Sequence, residues 1–363
     1  MSVDFKKTFI FLRDLFNKRK SISTPSFVFR AFISLAFLGG LLYSVPLDDI
    51  FKSIKNMDAT YFFVAAIAVV ISLLLRSVRW LILFPPLTQI SLWSCFKINT
   101  LGLALNGLIP GRLGDFLRIG MATQKTELPY TVVISTVVIE RLFDAFTLLL
   151  VIGSTSFLIS DFRPSEEILV MNFTFHASDI FPLLSKLTYI LVGCTALGFL
   201  LIHTKFQNLL LSLASRIKYR REKTLNFLNN FFRNLESLKP TLFHKYNLLR
   251  ILIYSFLTWG LIALCNYTIS FGLPDFQITF AQALVMTALS TLAAFIPSVP
   301  GAWGVYESAS LFALIAMGVD ATHAQMLGYS ILCHLCQYST IIISGAFSVL
   351  TGTSTESFAN IEE

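Results

Sequence analysis

The stretch LNGLIPGRLGDFLRIG, Leu105 to Gly120, ends an apolar run at Pro110-Gly111 and sets Arg112, Asp115 and Arg118 directly behind the break. Far downstream, FIPSVPGAWGVYES, Phe295 to Ser308, repeats the device with Pro300-Gly301, two residues, Gly304 and then a polar helix start. From Ile98 to Gly111 there are fourteen residues, about 21 Å of helix against ~30 Å of hydrocarbon. Lys97 precedes this segment, and Arg112, Arg118 and Lys125 follow it. A full crossing would leave those cations outside, against the positive-inside rule. A hairpin that dips in, turns at Pro110, Gly111 and Gly114, and returns keeps both ends inside. Irregular backbone at membrane depth is tolerated only where it is packed in protein or lines a wet cavity.

The rest of the chain has the composition this reading needs. Of 363 residues, 55% are hydrophobic and 13% charged, with a mean hydropathy of +0.71. Soluble domains carry about a quarter charged residues. Apolar runs of span length recur without barrel-like alternation, so the spans are helices. The expected fold is an all-α, polytopic membrane protein. The net charge of +7 gathers beside spans, near residues 6–20 and 205–250, and favours an anionic lipid surface. It gives no reason to expect nucleic acid, since no groove-reading or aromatic module accompanies it. Cys95, Cys194, Cys265, Cys333 and Cys336 read as buried thiols, and the lone CHLC pair has no second pair to complete a zinc site. Neither a metal nor a cofactor is expected.

Expected boundaries follow from runs and stops. Residues 1–26 form a basic amphipathic segment on the cytoplasmic surface, without a cleavable signal. Residues 27–203 form a first membrane half, with spans at 27–45, 61–83, 130–159 and 181–203 and a re-entrant hairpin near 98–122. Residues 204–247 are a basic cytoplasmic linker whose apolar stripe, Leu225, Leu228, Phe232 and Leu235, suggests a second surface helix. Residues 248–350 form the second half, with spans at 248–271 and 325–350 and a hairpin near 279–318 entered from outside and turning at Pro300, Gly301 and Gly304. Residues 351–363 are a cytoplasmic tail. About six crossings and two opposed hairpins place both termini in the cytoplasm. With both hairpins as full spans the parity also closes, but Arg112 to Lys125 then lie outside. Interrupted segments in corresponding positions mark an inverted repeat with a midplane site.

The motifs NGLIPGRLGDFLR (Asn106–Arg118), VVIERLFD (Val137–Asp144) and IPSVPGAWGVYE (Ile296–Glu307), in this order, resemble the lysylphosphatidylglycerol synthase transmembrane-region family. The resemblance runs from the first span to the last. It implies a flippase-like domain of a bacterial or archaeal cytoplasmic membrane that moves an amphiphilic lipid between leaflets or serves lipid-linked sugar or isoprenoid pathways. After the last span the sequence reads TGTSTESFANIEE, where a synthase would carry an aminoacyl-transferring domain, so aminoacyl-lipid synthesis is not expected.

Candidate substrate-binding residues are Arg112, Asp115, Arg118, Glu140, Arg141, Asp144 and Glu307. Arginine forks suit a lipid phosphate, yet Arg112 and Arg118 also fit a cytoplasmic anchor, and Asp115 and Arg118 are spaced to pair along a helix. Glu140 lies ~16 Å along a helix from Pro129, near mid-bilayer. Glu140, Arg141 and Asp144 fit headgroup contact or charge sensing and equally a structural ion pair, for example Glu140 with Arg112. Glu307 suits a helix N-terminus even without function. Arg76 and Arg79 read as snorkelling cations at a span's inner end. No catalytic motif is present, so a transporter of an anionic phospho- or isoprenoid-linked lipid is the leading expectation. The alternative is an intramembrane accessory or enzyme working with a glycosyltransferase or another lipid-synthesis partner.

Overall fold

In the computed structural model the described residues are 45–86, 88–109, 113–158, 167–170, 173–176, 203–215, 221–244, 246–295 and 299–352, with isolated positions between 35 and 41 and between 186 and 200. The N-terminal segment, most of the expected spans at 27–45 and 181–203, and Pro110, Gly111 and Arg112 lie outside them. The elements are α1 (Leu47–Lys55), α2 (Ala59–Leu83), α3 (Leu92–Leu108), α4 (Leu113–Thr126), α5 (Tyr130–Leu158), β1 (Glu167–Val170) and β2 (Phe173–His176). They continue with α6 (Thr204–Ser215), α7 (Arg221–Ser237), α8 (Lys239–Leu242), α9 (Asn247–Phe271), α10 (Phe280–Ala293), a 3-10 turn at Pro300–Ala302, α11 (Val305–Ala316) and α12 (His323–Gly352).

The helices start and stop where local chemistry directs. Asp58 caps α2 by accepting from the Thr60 N–H at 2.9 Å, and Pro85 follows its end. Thr279 and Gln282 close a reciprocal capping box on α10, and Thr322 and Gln325 build the same box on α12. One departure from the all-α expectation is the short antiparallel pair β1–β2, in which Glu167 faces His176 and Val170 faces Phe173. Its residues, EILV and FTFH, are rich in β-branched and aromatic side chains.

Among the described residues three helices are long and apolar enough to cross a membrane: α2, α9 and α12. Their outer faces are apolar, with Phe63, Ile67, Ile253, Ile343 and Leu350 exposed, as lipid-facing surfaces are. Helices α2 and α9 pack along each other, and Asp58 N–H donates to Gly272 O at 2.9 Å, joining the start of one to the end of the other.

The two interrupted segments form two helical pairs, α3 with α4 and α10 with α11. Helix α12 fixes their relation. Lys97 of α3 donates to Thr351 O at 2.9 Å, at the end of α12. Gln282 of α10 donates to Met317 O at 3.3 Å, just before α12 begins. The bases of the pairs therefore lie at opposite ends of a helix ~45 Å long. Their tips meet halfway along it, where Gly107 and Gly301 both abut the Tyr338 hydroxyl. The second break is a tight backbone reversal, with φ of 82° at Gly301 and 84° at Gly304, values open to glycine and costly for other residues.

The linker helix α7 packs one face on α5. Phe232, Leu235 and Leu238 are buried in a core shared with Val132 and Val133 of α5, and Asn234 donates to Thr131. Phe232 and Leu235 of the stripe seat α7 against α5.

Candidate functional site

A ladder of charge crosses the middle of the first half. Arg79 is fully buried and donates from Nη1 to Asp144 Oδ1 at 2.7 Å, from Nη2 to Glu140 Oε1 at 3.1 Å, and to Ser255 Oγ at 2.7 Å. The other Glu140 oxygen accepts from Arg118. Arg118 also donates to Asn99 Oδ1 at 2.7 Å and stacks 4.4 Å from the centre of the Trp80 ring. Trp259 Nε1 donates to Asp144 Oδ1 at 3.1 Å. Arg141 donates to Asp115 Oδ1 at 2.9 Å. Arg76 Nη1 and Arg141 Nη1 each stand 3.5 Å from Asp144 Oδ2.

These contacts sort the expected residues. Asp115 and Arg118 do not pair with each other. Asp115 turns to Arg141, while Arg118 is drawn inward to Glu140 and Asn99, because buried charges need close, hydrogen-bonded partners. Glu140 pairs with Arg79 and Arg118, and Arg112 lies outside the described residues. Arg79 does not snorkel: Glu140 and Asp144, one turn apart on α5, hold it in the interior. Glu140 is fully buried and occupied on both oxygens. Removing Glu140 and Asp144 together would strip Arg79 of both counter-ions.

Beside the ladder lies a cavity of about 420 Å³. Asp115, Arg141, Asp144 and Arg76 line it, together with Pro300, Gly301, Tyr306, His334 and Tyr338. The tips of both pairs reach it through Ile109 and Pro300. The sequence reading missed Arg76 as a lining residue; its signal was a second arginine, one turn before Arg79, well inside an apolar run. Arg76 also stacks 5.2 Å from the Trp259 ring centre. The cluster holds four guanidiniums (Arg76, Arg79, Arg118, Arg141) against three carboxylates (Asp115, Glu140, Asp144). One positive charge is left over.

Glu307 lies beside the lining residue His334. It is buried, accepts from the Gly304 N–H at 2.7 Å and meets His334 Nδ1 at 2.6 Å. Gly114 belongs to α4 and sits against Gly102 of α3, so it serves the packing of the first pair. Cys95, Cys265, Cys333 and Cys336 are buried free thiols. Among the described residues no group of His, Cys, Asp or Glu is arranged to hold a metal ion.

The chain matches the lysylphosphatidylglycerol synthase TM region over residues 27–345. The chain belongs to that family. Relatives within it include UPF0104 membrane protein MJ1078 of Methanocaldococcus jannaschii, 26% identical over 67% of this chain and 91% of its own. UPF0104 membrane protein PH1989 of Pyrococcus horikoshii is 25% identical over 77% of this chain and 84% of its own. No solved structure matches the chain. Family membership makes this a membrane protein.

Proposed function

We propose that the protein moves an amphiphilic lipid with an anionic, phosphate-bearing head between the leaflets of a cell membrane, the head passing through the central cavity and the tails staying in the bilayer. The observation that carries this reading is a cavity with Arg76 and Arg141 on its wall and one uncompensated positive charge around it. A charged head cannot enter hydrocarbon unaided, because its desolvation is prohibitive. Guanidinium forks at a partly wet site replace its hydration. In this reading α3–α4 and α10–α11 are re-entrant hairpins from opposite faces, each tip reaching the midplane. Arg79, Arg118 and Glu140 are the scaffold that holds Arg141 and Asp144 in place.

Exchange of a fluorescent anionic phospholipid between leaflets of proteoliposomes tests this, with the recovered lipid checked by mass spectrometry. Exchange of chemically unchanged lipid supports transport. Conversion of the lipid without exchange would support the enzyme reading instead.

A further inference from the structure

We propose that the Glu307–His334 pair is a proton-binding site, and that a proton on His334 occupies the cavity together with the anionic head. The inference rests on the lipid-transport reading and adds what drives it.

Glu307 is a carboxylate buried at 2% exposure. Its contacts are the Gly304 N–H at 2.7 Å and His334 Nδ1 at 2.6 Å. A buried carboxylate needs a charged or strongly donating partner, and among the described residues its ion-pair partner is this imidazole. The ring is also packed to carry charge. Tyr306 stacks on it at 4.2 Å between ring centres and Trp303 lies at 4.4 Å, an arrangement that favours a cation over aromatic faces. With Nδ1 engaged by Glu307, Nε2 is the nitrogen left for the cavity that His334 lines.

The other groups around His334 leave this role to the pair. On α12, Cys333 is a buried thiol and Tyr338 a phenol. On α11, Tyr306 donates no charge. Of the other charged groups lining the cavity, Arg141 is bound to Asp115, and Asp144 stands between Arg76 and Arg141. Arg76, Arg141 and the His334 ring therefore line one space. An anionic head between them favours a protonated His334, and a protonated His334 favours the head; the two effects are equal by linkage. The proton comes from water in the cavity to Nε2, while Glu307 holds the Nδ1 proton. When the head leaves toward the other leaflet, Nε2 returns its proton to water on that side. One proton and one unit of negative charge cross together, and no net charge is moved. Glu307 also caps the Gly304 N–H, so the charge state of the pair bears directly on the second break.

Two measurements test this. The first is exchange of fluorescent phosphatidylglycerol in phosphatidylcholine liposomes with an imposed pH difference. Wild type should move lipid faster from the acidic to the alkaline side, by up to about tenfold per pH unit, the ratio of proton activities. Glu307→Gln, which keeps an acceptor for Gly304, and His334→Gln should each run at one rate with or without the difference. Wild-type exchange that ignores the pH difference, or full acceleration in both variants, overturns the inference and leaves lipid transport standing. The second is nitrogen NMR of His334 in detergent. At fixed pH, soluble dihexanoyl phosphatidylglycerol should increase the imidazolium fraction in wild type and not in Glu307→Gln. No change in wild type overturns the inference. A clear change without any leaflet exchange overturns transport while keeping the paired proton and anion site.

Discussion

The carbonyl oxygen of Gly102 lies so close to Gly114 that a β-carbon added at Gly114 would overlap it. The same position also crowds the Asn106 N–H, at 2.8 Å. This contact lets α3 and α4 run side by side and brings Asp115 to Arg141. Gly114→Ala should force the two arms apart and destabilise the fold by about 1–3 kcal/mol or more, as overpacking does. Gly260→Ala, in α9 with open space beside it, should be neutral or slightly stabilising, since it only restricts the unfolded chain. Thermal denaturation in detergent separates the two. Equal melting temperatures for both variants would remove the glycine contact from the account.

Glu140 joins Arg79 to Arg118 across three helices. Glu140→Gln leaves two buried guanidiniums short of a counter-ion, and breaking such pairs costs about 3–5 kcal/mol. The variant should express poorly or melt early, whether or not lipid is present. A Glu140→Gln protein as stable as wild type, with transport alone impaired, would move Glu140 from scaffold to substrate contact.

The proposed entry of the two helical pairs from opposite faces predicts a topology. In a background without the native cysteines, Gln124→Cys at the base of the first pair should react with an impermeant thiol reagent only from the cytoplasm. Asp320→Cys, beside the base of the second pair, should react only from outside. Labelling of both from one face would contradict the inverted arrangement.

Much of this frame was legible in the sequence because apolar runs and their stops are local signals. The expected spans 61–83, 248–271 and 325–350 became Ala59–Leu83, Asn247–Phe271 and His323–Gly352. The break at Gly301 and Gly304 was readable because only glycine accepts such dihedrals cheaply. The partners of the charges were not legible. Arg79 meets Glu140 and Asp144 more than sixty residues away in the chain, and a cation near a span end looks the same whether it snorkels or pairs. Asp115 and Arg118 had the spacing to bond each other, yet tertiary partners won because they satisfy each group in a buried site. The stripe on α7 was visible, but not the surface it covers.

Arg76 and Arg141 are the guanidiniums that line the cavity. Arg76→Gln and Arg141→Gln should each weaken binding of an anionic lipid by about 10–150-fold, the loss of one charge-assisted contact of about 1.5–3 kcal/mol. A neutral diacylglycerol should bind both variants as it binds wild type. Equal losses for the two lipids would point to a collapsed cavity instead of a phosphate site.

The central claim is that the head passes through the cavity, and blocking that space tests it most directly. Thr291 lines the cavity from α10, and Thr291→Trp would put an indole into that space while leaving every residue of the charge ladder unchanged. Leaflet exchange of fluorescent phosphatidylglycerol should be rapid in proteoliposomes of the wild-type protein and fall to the protein-free rate with Thr291→Trp, while both proteins melt at similar temperatures. Exchange at the wild-type rate in a folded Thr291→Trp protein would contradict the account, because the lipid would then be crossing somewhere else.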